Sequence, residues 1–222
     1  MTPRRGAARI RGLYGILDPS VLLRAFPGGD ADSLLDRALA ASLAGGIPVV
    51  QYRDKEASPR LLLARATRLS AACREAGALF LVNDRLDVAI LCGADGCHLG
   101  QDDLPLPEAR KASPPGFLLG ASTHDAREAL RARGEGADYI GVGAVYATST
   151  KEDVTAPGGA PLVADVHAAV PALPIVAIAG ITLGNALPLF RAGAAAVAVS
   201  HDLYGRADVR ERTEAYLRLC PP

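Results

Sequence analysis

Five times along the chain a glycine closes a helical stretch and a short apolar run follows at once: AGGIPVVQ, EAGALFLVN, CGADGCHLG, EGADYIGVG and AGAAAVAVS. No other feature limits the possible folds as much. Glycine ends a helix because it enters the left-handed region without a Cβ penalty. A strand directly behind it means that each helix hands the chain back to a sheet. Regular alternation of this kind gives parallel strands joined by crossover helices.

The apolar, β-branched runs predict strands at 13–17, 48–52, 79–82, 96–99, 117–120, 139–142, 175–178 and 196–199. Between them, DADSLLDRALAASLAGG, SPRLLLARATRLSAACREAG and THDAREALRARGEG repeat Leu, Ala and Arg at three- and four-residue spacing, as amphipathic helices require. Several start at Ser, Thr or Asp, the residues preferred as N-caps. Eight units in 222 residues recur roughly every 28 residues. Eight predict a closed (β/α)8 TIM barrel rather than an open sheet. The competing doubly wound sheet would carry a G-x-G-x-x-G turn after its first strand, and GGDADS is not one. The expectation is a single domain over 1–222, with 1–10 as a flexible tail.

Composition narrows the function. Formal net charge is zero and half the residues are hydrophobic, which disfavours a nucleic-acid or membrane-surface binder. No apolar run approaches the length of a membrane span, and MTPRRGAARIRG is not followed by the apolar stretch and cleavage site of a signal peptide. Cys73, Cys92, Cys97 and Cys220 lack metal-finger spacing and read as reduced thiols of a cytoplasmic protein. Nothing in the pattern signals an oligomeric state.

A barrel of this class carries its chemistry at the C-terminal ends of its strands. Gln51, Arg53 and Lys55 follow strand 2, Asn83 and Asp84 follow strand 3, and Gln101, Asp102 and Asp103 follow strand 4. Strand 5 delivers Ser122 and His124, and strand 6 delivers Thr148, Thr150 and Lys151. Gly180, Ile181 and Thr182 follow strand 7, and Ser200 and His201 follow strand 8. Asp84 and Asp103, each taken alone, read as ordinary loop or N-cap acids. As a pair on adjacent strand ends they suit Mg²⁺, which takes one or two carboxylates and fills its other positions with water and substrate phosphate.

The lysines carry a second signal. Only three of the 24 basic residues are lysines, and two of them, Lys55 and Lys151, fall on this rim. A compact ammonium and a planar guanidinium are not equivalent toward a single phosphate oxygen. The segments AIAGIT and AVSHD match the phosphate site that loops 7 and 8 commonly form in this fold, where Gly180 lets backbone approach an anion. His98 reads as a hydrogen-bonded barrel residue, His124 as structural at a helix start and His167 as a helix-surface residue. With no G-x-S-x-G and no Cys–His pair at the rim, the site reads as one for two anions. Its chemistry would be departure of a metal-bound diphosphate and capture of the electrophile left behind.

The motifs QYRDK (51–55), VNDR (82–85), ADGCHLGQDD (94–103), LGAST (119–123), GADYIGVGAVYATSTKED (136–153), AGIT (179–182) and VS (199–200) occur in order over residues 11 to 218. This pattern resembles the thiamine-phosphate synthases of the thiamine-phosphate synthase and thiazole tautomerase superfamily. The resemblance implies that Gln51, Tyr52, Arg53, Asp54, Lys55, Asn83, Ser122 and Lys151 bind an aminopyrimidine diphosphate. Arg53, Lys55, Lys151 and Ser122 would be the catalytic groups among them. It implies Mg²⁺ on Asp84 and Asp103, and a thiazole phosphate on Thr148, Ser149, Thr150, Gly180, Val199 and Ser200. The products would be thiamine phosphate and pyrophosphate, with carbon dioxide if the thiazole is carboxylated.

The sequence departs from the family pattern at four places. Ala179 stands where glycine is usual, Ala144 and Ala147 replace prolines, and His201 replaces a small apolar residue. Two other readings share the barrel: a thiazole tautomerase working through a histidine such as His124, and a non-catalytic binder of thiamine precursors. The intact Asp84–Asp103 pair and the Gln-x-Arg-x-Lys run argue against both.

Overall fold

A computed structural model describes residues 6–147 and 157–220. Its strands are β1 (Gly12–Leu17), β2 (Val49–Tyr52), β3 (Leu79–Asn83), β4 (Gly96–Leu99), β5 (Leu118–Thr123), β6 (Tyr139–Val142), β7 (Ile175–Ile178) and β8 (Ala196–Val199). All pair in parallel with their sequence neighbours, and β8 returns to β1 through Gly12↔Ala196 to Gly15↔Val199, closing the barrel. The helices are α1 (Pro19–Ala25), α2 (Ala31–Ala44), α3 (Pro59–Ala76), α4 (Leu86–Leu91), α5 (Leu106–Ala112), α6 (Ala126–Gly134), α7 (Gly159–Ala169), α8 (Leu187–Arg191), α9 (His201–Tyr204) and α10 (Val209–Leu219). Among the described residues no helix is long and apolar enough to cross a membrane.

Caps explain the best-defined helices. The Asp30 and Asp125 carboxylates accept from Ser33 N and Glu128 N at 2.8 and 2.7 Å, and Ser58 Oγ accepts from Leu61 N. Gly77 ends α3 in the left-handed conformation at φ 74°, as the GA-then-strand punctuation predicts. The period-two alternation of the strands divides the core in two. Tyr14, Val49, Leu81, Leu118, Tyr139 and Val176 fill the barrel interior. Leu13, Val50, Tyr52, Phe80 and Ile140 face outward and pack beneath the helices. Each fully buried large side chain contributes about 1.5–3 kcal/mol, so both layers are needed to hold the closed sheet.

Two differences from the sequence expectation matter. Residues Ala7–Arg9, expected in a flexible tail, form a 3₁₀ turn, with Ala7 and Ile10 buried among the interior residues. A cluster of apolar side chains inside an otherwise open barrel end gives that turn its purchase. Strand β5, expected over 117–120, runs on to Thr123, because Ser122 and Thr123 continue the ladder to Gly141 and Val142 of β6. Ser122 therefore stands on the strand itself.

At the N-terminal end of the barrel the sequence repeats GAD before β4 and β6, and the structure repeats with it. Asp95 N donates to Phe80 O at 2.8 Å, while its carboxylate accepts from Phe80 N at 2.8 Å. Asp138 does the same to Leu119, at 2.8 and 2.9 Å. Each aspartate thus supplies the acceptor for an N–H that begins a strand and has no ladder partner of its own.

Candidate active site

At the opposite end, β2, β3 and β4 bring together the residues of the first half-site. Gln51 lies almost fully buried inside the barrel, and its Nε2 donates to Asn83 Oδ1 at 2.9 Å. That bond uses one donor of Gln51 and one acceptor of Asn83. It leaves the Gln51 carbonyl and the Asn83 amide nitrogen available, an acceptor beside a donor. Arg53 is anchored on one side by Asp18, which also accepts from Ser20 N at 2.8 Å as the cap of α1. Its remaining N–H groups are uncommitted to Asp18. Lys55 Nζ lies 3.8 Å from Asp84 Oδ2, with most of its side chain exposed.

Asp84 occupies the left-handed region at φ 61°, a conformation that Asp tolerates better than most residues. Its N–H donates to His98 O at 2.8 Å, and Leu86 N donates to its carbonyl at 3.2 Å. The turn thereby aims its carboxylate at Asp103, whose own Oδ2 accepts from Gly100 N at 2.7 Å. Burial, then hydrogen bonding to Asp103 and repulsion by its charge, raise the Asp84 carboxyl to about 6, against the pull of Lys55 and Arg53. Two carboxylates forced against each other in a half-buried site are a destabilising arrangement for the protein alone. A divalent cation between them removes that repulsion. Among the described residues no group of three or more His, Cys, Asp or Glu gathers as metal ligands, so the donor set is this oxygen pair. It fits Mg²⁺, which needs few protein ligands, and it does not fit zinc.

The sequence grouping of QYRDK divides in the structure. Tyr52 points into the outer layer, fully buried, and donates to Asp54 Oδ2 at 2.9 Å. Asp54 also accepts from Arg65 and from the main chain of Glu56 and Ala57. Their side chains shape the loop; they are not among the groups brought to the barrel mouth. Alternation of the strand sends Gln51 inward and Tyr52 outward.

The second half-site is built from backbone. Ala179 and Gly180 are consecutive left-handed residues at φ 87° and 65°. Asn185 holds their turn from both sides: its Nδ2 donates to Gly180 O at 3.0 Å and its Oδ1 accepts from Thr182 N at 2.7 Å. A Cβ on Gly180 would lie 2.4 Å from Ala147 O, so only glycine fits where loops 6 and 7 touch. The main chain closes the base of loop 6: Gly158 N donates to Ala144 O at 3.0 Å and Gly159 N to Val145 O at 2.9 Å. Thr148, Ser149, Thr150 and Lys151 lie outside the described residues. Ser200 follows β8, and its Oγ donates to Ile16 O at 2.9 Å. Val199 sits with its side chain in the outer core. His201 is exposed at the start of α9, with its ring close to Gly205, the residue that caps that helix.

Of the other histidines, His98 matches its reading as a hydrogen-bonded barrel residue. His124 is exposed and bonded to Glu128 at 3.0 Å. His167 is half-buried, with its ring close against Gly193. Sequence reasoning missed Asp18, Asn185 and the partners of Ser122. Asp18 could have been found, because D-P-S is a helix-start signature.

Comparison with known proteins gives one answer. The family model described as thiamine monophosphate synthase matches residues 26–203. The thiamine-phosphate synthase of Methanoculleus marisnigri is 49% identical over 166 residues, covering 75% of this chain and 78% of that one. The thiamine-phosphate synthase of Shouchella clausii is 40% identical over 191 residues, covering 86% and 89%. Among solved structures, thiamine phosphate pyrophosphorylase from Pyrococcus furiosus superposes with a TM-score of 0.82 at 32% identity over 96% of both chains.

Proposed function

Because the chain belongs to the thiamine monophosphate synthase family, a family of transferases, we propose a specific mechanism and substrate pair for its site. It joins 4-amino-2-methyl-5-(diphosphooxymethyl)pyrimidine to a thiazole phosphate, giving thiamine phosphate and pyrophosphate. The observation that carries this reading is Asp84 set against Asp103 with Lys55 beside it. Such a cluster is poorly stable empty and well matched to a diphosphate arriving with its cation.

The acceptor–donor pair left by Gln51 and Asn83 complements an aminopyrimidine edge, whose amino group donates and whose ring nitrogen accepts. Arg53, held on one side by Asp18, keeps N–H donors for the diphosphate, and Lys55 adds a point charge. Asp84 and Asp103 would hold Mg²⁺, which when bound supplies positive charge to the diphosphate. The methylene C–O bond breaks with its electron pair leaving on the diphosphate. The thiazole nitrogen then donates its lone pair to the pyrimidine methyl cation, forming the C–N bond. The chain supplies orientation and charge and need not transfer a proton in that step. The turn at Ala179 and Gly180 with the main chain of Val199 and Ser200 would hold the thiazole phosphate. For Thr148, Ser149, Thr150 and Lys151 the assignment rests on the motif and the family.

The test is incubation with both phosphorylated substrates, with and without EDTA, followed by a fluorescence assay for thiamine. Product that depends on Mg²⁺ is the expected result. Isomerisation of a thiazole carboxylate unaffected by EDTA, or binding without product, would replace the proposal with a tautomerase or a non-catalytic binder.

A further inference from the structure

Inside the barrel, between its N-terminal plug and the proposed site, runs a line of polar atoms that the reaction just described does not use. Tyr14 and Tyr139 are both fully buried, and their hydroxyls lie 3.0 Å apart. Tyr139 Oη lies 3.2 Å from His98 Nδ1, and His98 Nε2 lies 3.1 Å from Ser122 Oγ. Two glycines make the room. A Cβ on Gly120 would lie 2.1 Å from the Tyr139 ring, and one on Gly141 would lie 3.1 Å from the His98 ring.

The direction of the protons along this line follows from its closed end. Each hydroxyl has one proton, and burial raises both phenols far above their usual range, so both stay protonated. Tyr14 has Tyr139 as its hydrogen-bond partner. If Tyr139 donated to Tyr14, the Tyr14 proton would point into an apolar core, at a cost of about 1–3 kcal/mol. With Tyr14 donating to Tyr139, every proton is used: Tyr139 donates onward to Nδ1. His98 must then carry its proton on Nε2, and Nε2–H donates to Ser122 Oγ.

We propose that the Tyr14–Tyr139 pair sets the tautomer of His98 and so makes Ser122 a hydrogen-bond donor toward the bound substrate. With its oxygen already accepting from His98, Ser122 keeps its own proton for an acceptor atom, a diphosphate oxygen or a ring nitrogen. The opposite tautomer would draw that proton inward to His98. His98 and Tyr139 are therefore positioning residues, acting through Ser122. This inference rests on the proposed function and on Ser122 meeting the pyrimidine diphosphate, as the family resemblance implies.

Long-range ¹H–¹⁵N correlation spectra of the full-length protein read the tautomer without turnover. The Nε2–H form is expected for His98; an Nδ1–H form or a doubly protonated ring would overturn the proposal. In Tyr139→Phe the tautomer preference should weaken, and kcat should fall about tenfold, the worth of one neutral hydrogen bond, with KM for the thiazole phosphate unchanged. His98→Gln, which can still donate to Ser122, should keep more activity than His98→Leu. Equal activity in those two variants, or an unchanged tautomer in Tyr139→Phe, would also overturn it. A wild-type protein that forms no thiamine phosphate would instead remove the proposed function, leaving the tautomer measurement standing.

Discussion

Aspartates stand at both ends of this barrel, and their surroundings are opposite. At the N-terminal end, Asp138 is buried and accepts from Leu119 N and from Arg110, and Asp95 accepts from Phe80 N. Each of these three partners is a donor. At the C-terminal end, Asp84 faces another carboxylate, and its carboxyl is pushed up rather than down. One end uses charge to satisfy strand-starting amides, so it contributes stability. The other gathers like charge in a half-buried place, so it gives stability up. The same residue type, on the same fold, separates scaffold from site by what it is set against.

The largest effect that tests this contrast is on turnover. Asp103→Ala or Asp84→Asn should lower kcat/KM at least about a hundredfold, since each removes one of the two carboxylate charges that the proposal gives to the cation. Asp138→Ala should leave kcat/KM within a few fold. Equal losses at both ends, measured on folded protein, would erase the distinction between site and scaffold.

On stability the order should reverse. Asp138→Ala strands the buried Leu119 N–H and uncouples Arg110, a loss of about 2–4 kcal/mol. In a chain of this length that lowers Tm by about 5–15 °C. Asp84→Asn in EDTA should instead gain about 1–3 kcal/mol at pH 7.5, because it removes the repulsion while asparagine keeps the left-handed turn. The sign with pH is fixed by the raised carboxyl. Stability from a protonated Asp84 is present below its unfolded value and lost as pH rises through about 6. The gap between the Asp84→Asn and wild-type melting points should therefore be closed below about pH 4, open as pH rises from about 4 to about 6, and stay constant above that. A gap that widened in acid would contradict the cause assigned to the shift.

Much of this contrast could be read before any coordinates. Short apolar runs bounded by glycine give the eight strands almost to the residue, since a strand buried on both faces leaves little else for such a run to be. Asp84 and Asp103 were legible because one directly follows β3 and the other lies within four residues of the end of β4, and the barrel fixes which end that is. Less legible was anything depending on which way a side chain turns or where a strand stops. Tyr52 and Asp54 sit inside the site motif, yet strand alternation and Arg65 take their side chains into the scaffold. Ser122 was placed past a strand that in fact continues through it. Its line to Tyr14 joins residues 108 positions apart, through contacts that only barrel closure makes.

The smallest effect concerns backbone rather than charge. Ala179 stands where the family pattern has glycine, and its φ of 87° lies in the region that Cβ disfavours. An alanine there costs about 1–2 kcal/mol, offset in part because glycine would leave a more disordered unfolded chain. Ala179→Gly should thus gain a net amount of about 0.5–1 kcal/mol, raising Tm by about 1–4 °C. Asn185 and the Tyr146 N–H bond to Ala179 O at 3.2 Å hold the turn in either case, so KM for the thiazole phosphate should change by less than about twofold. A fall in Tm would mean that this part of the C-terminal rim is relaxed, and that electrostatic repulsion alone distinguishes the two ends of the barrel.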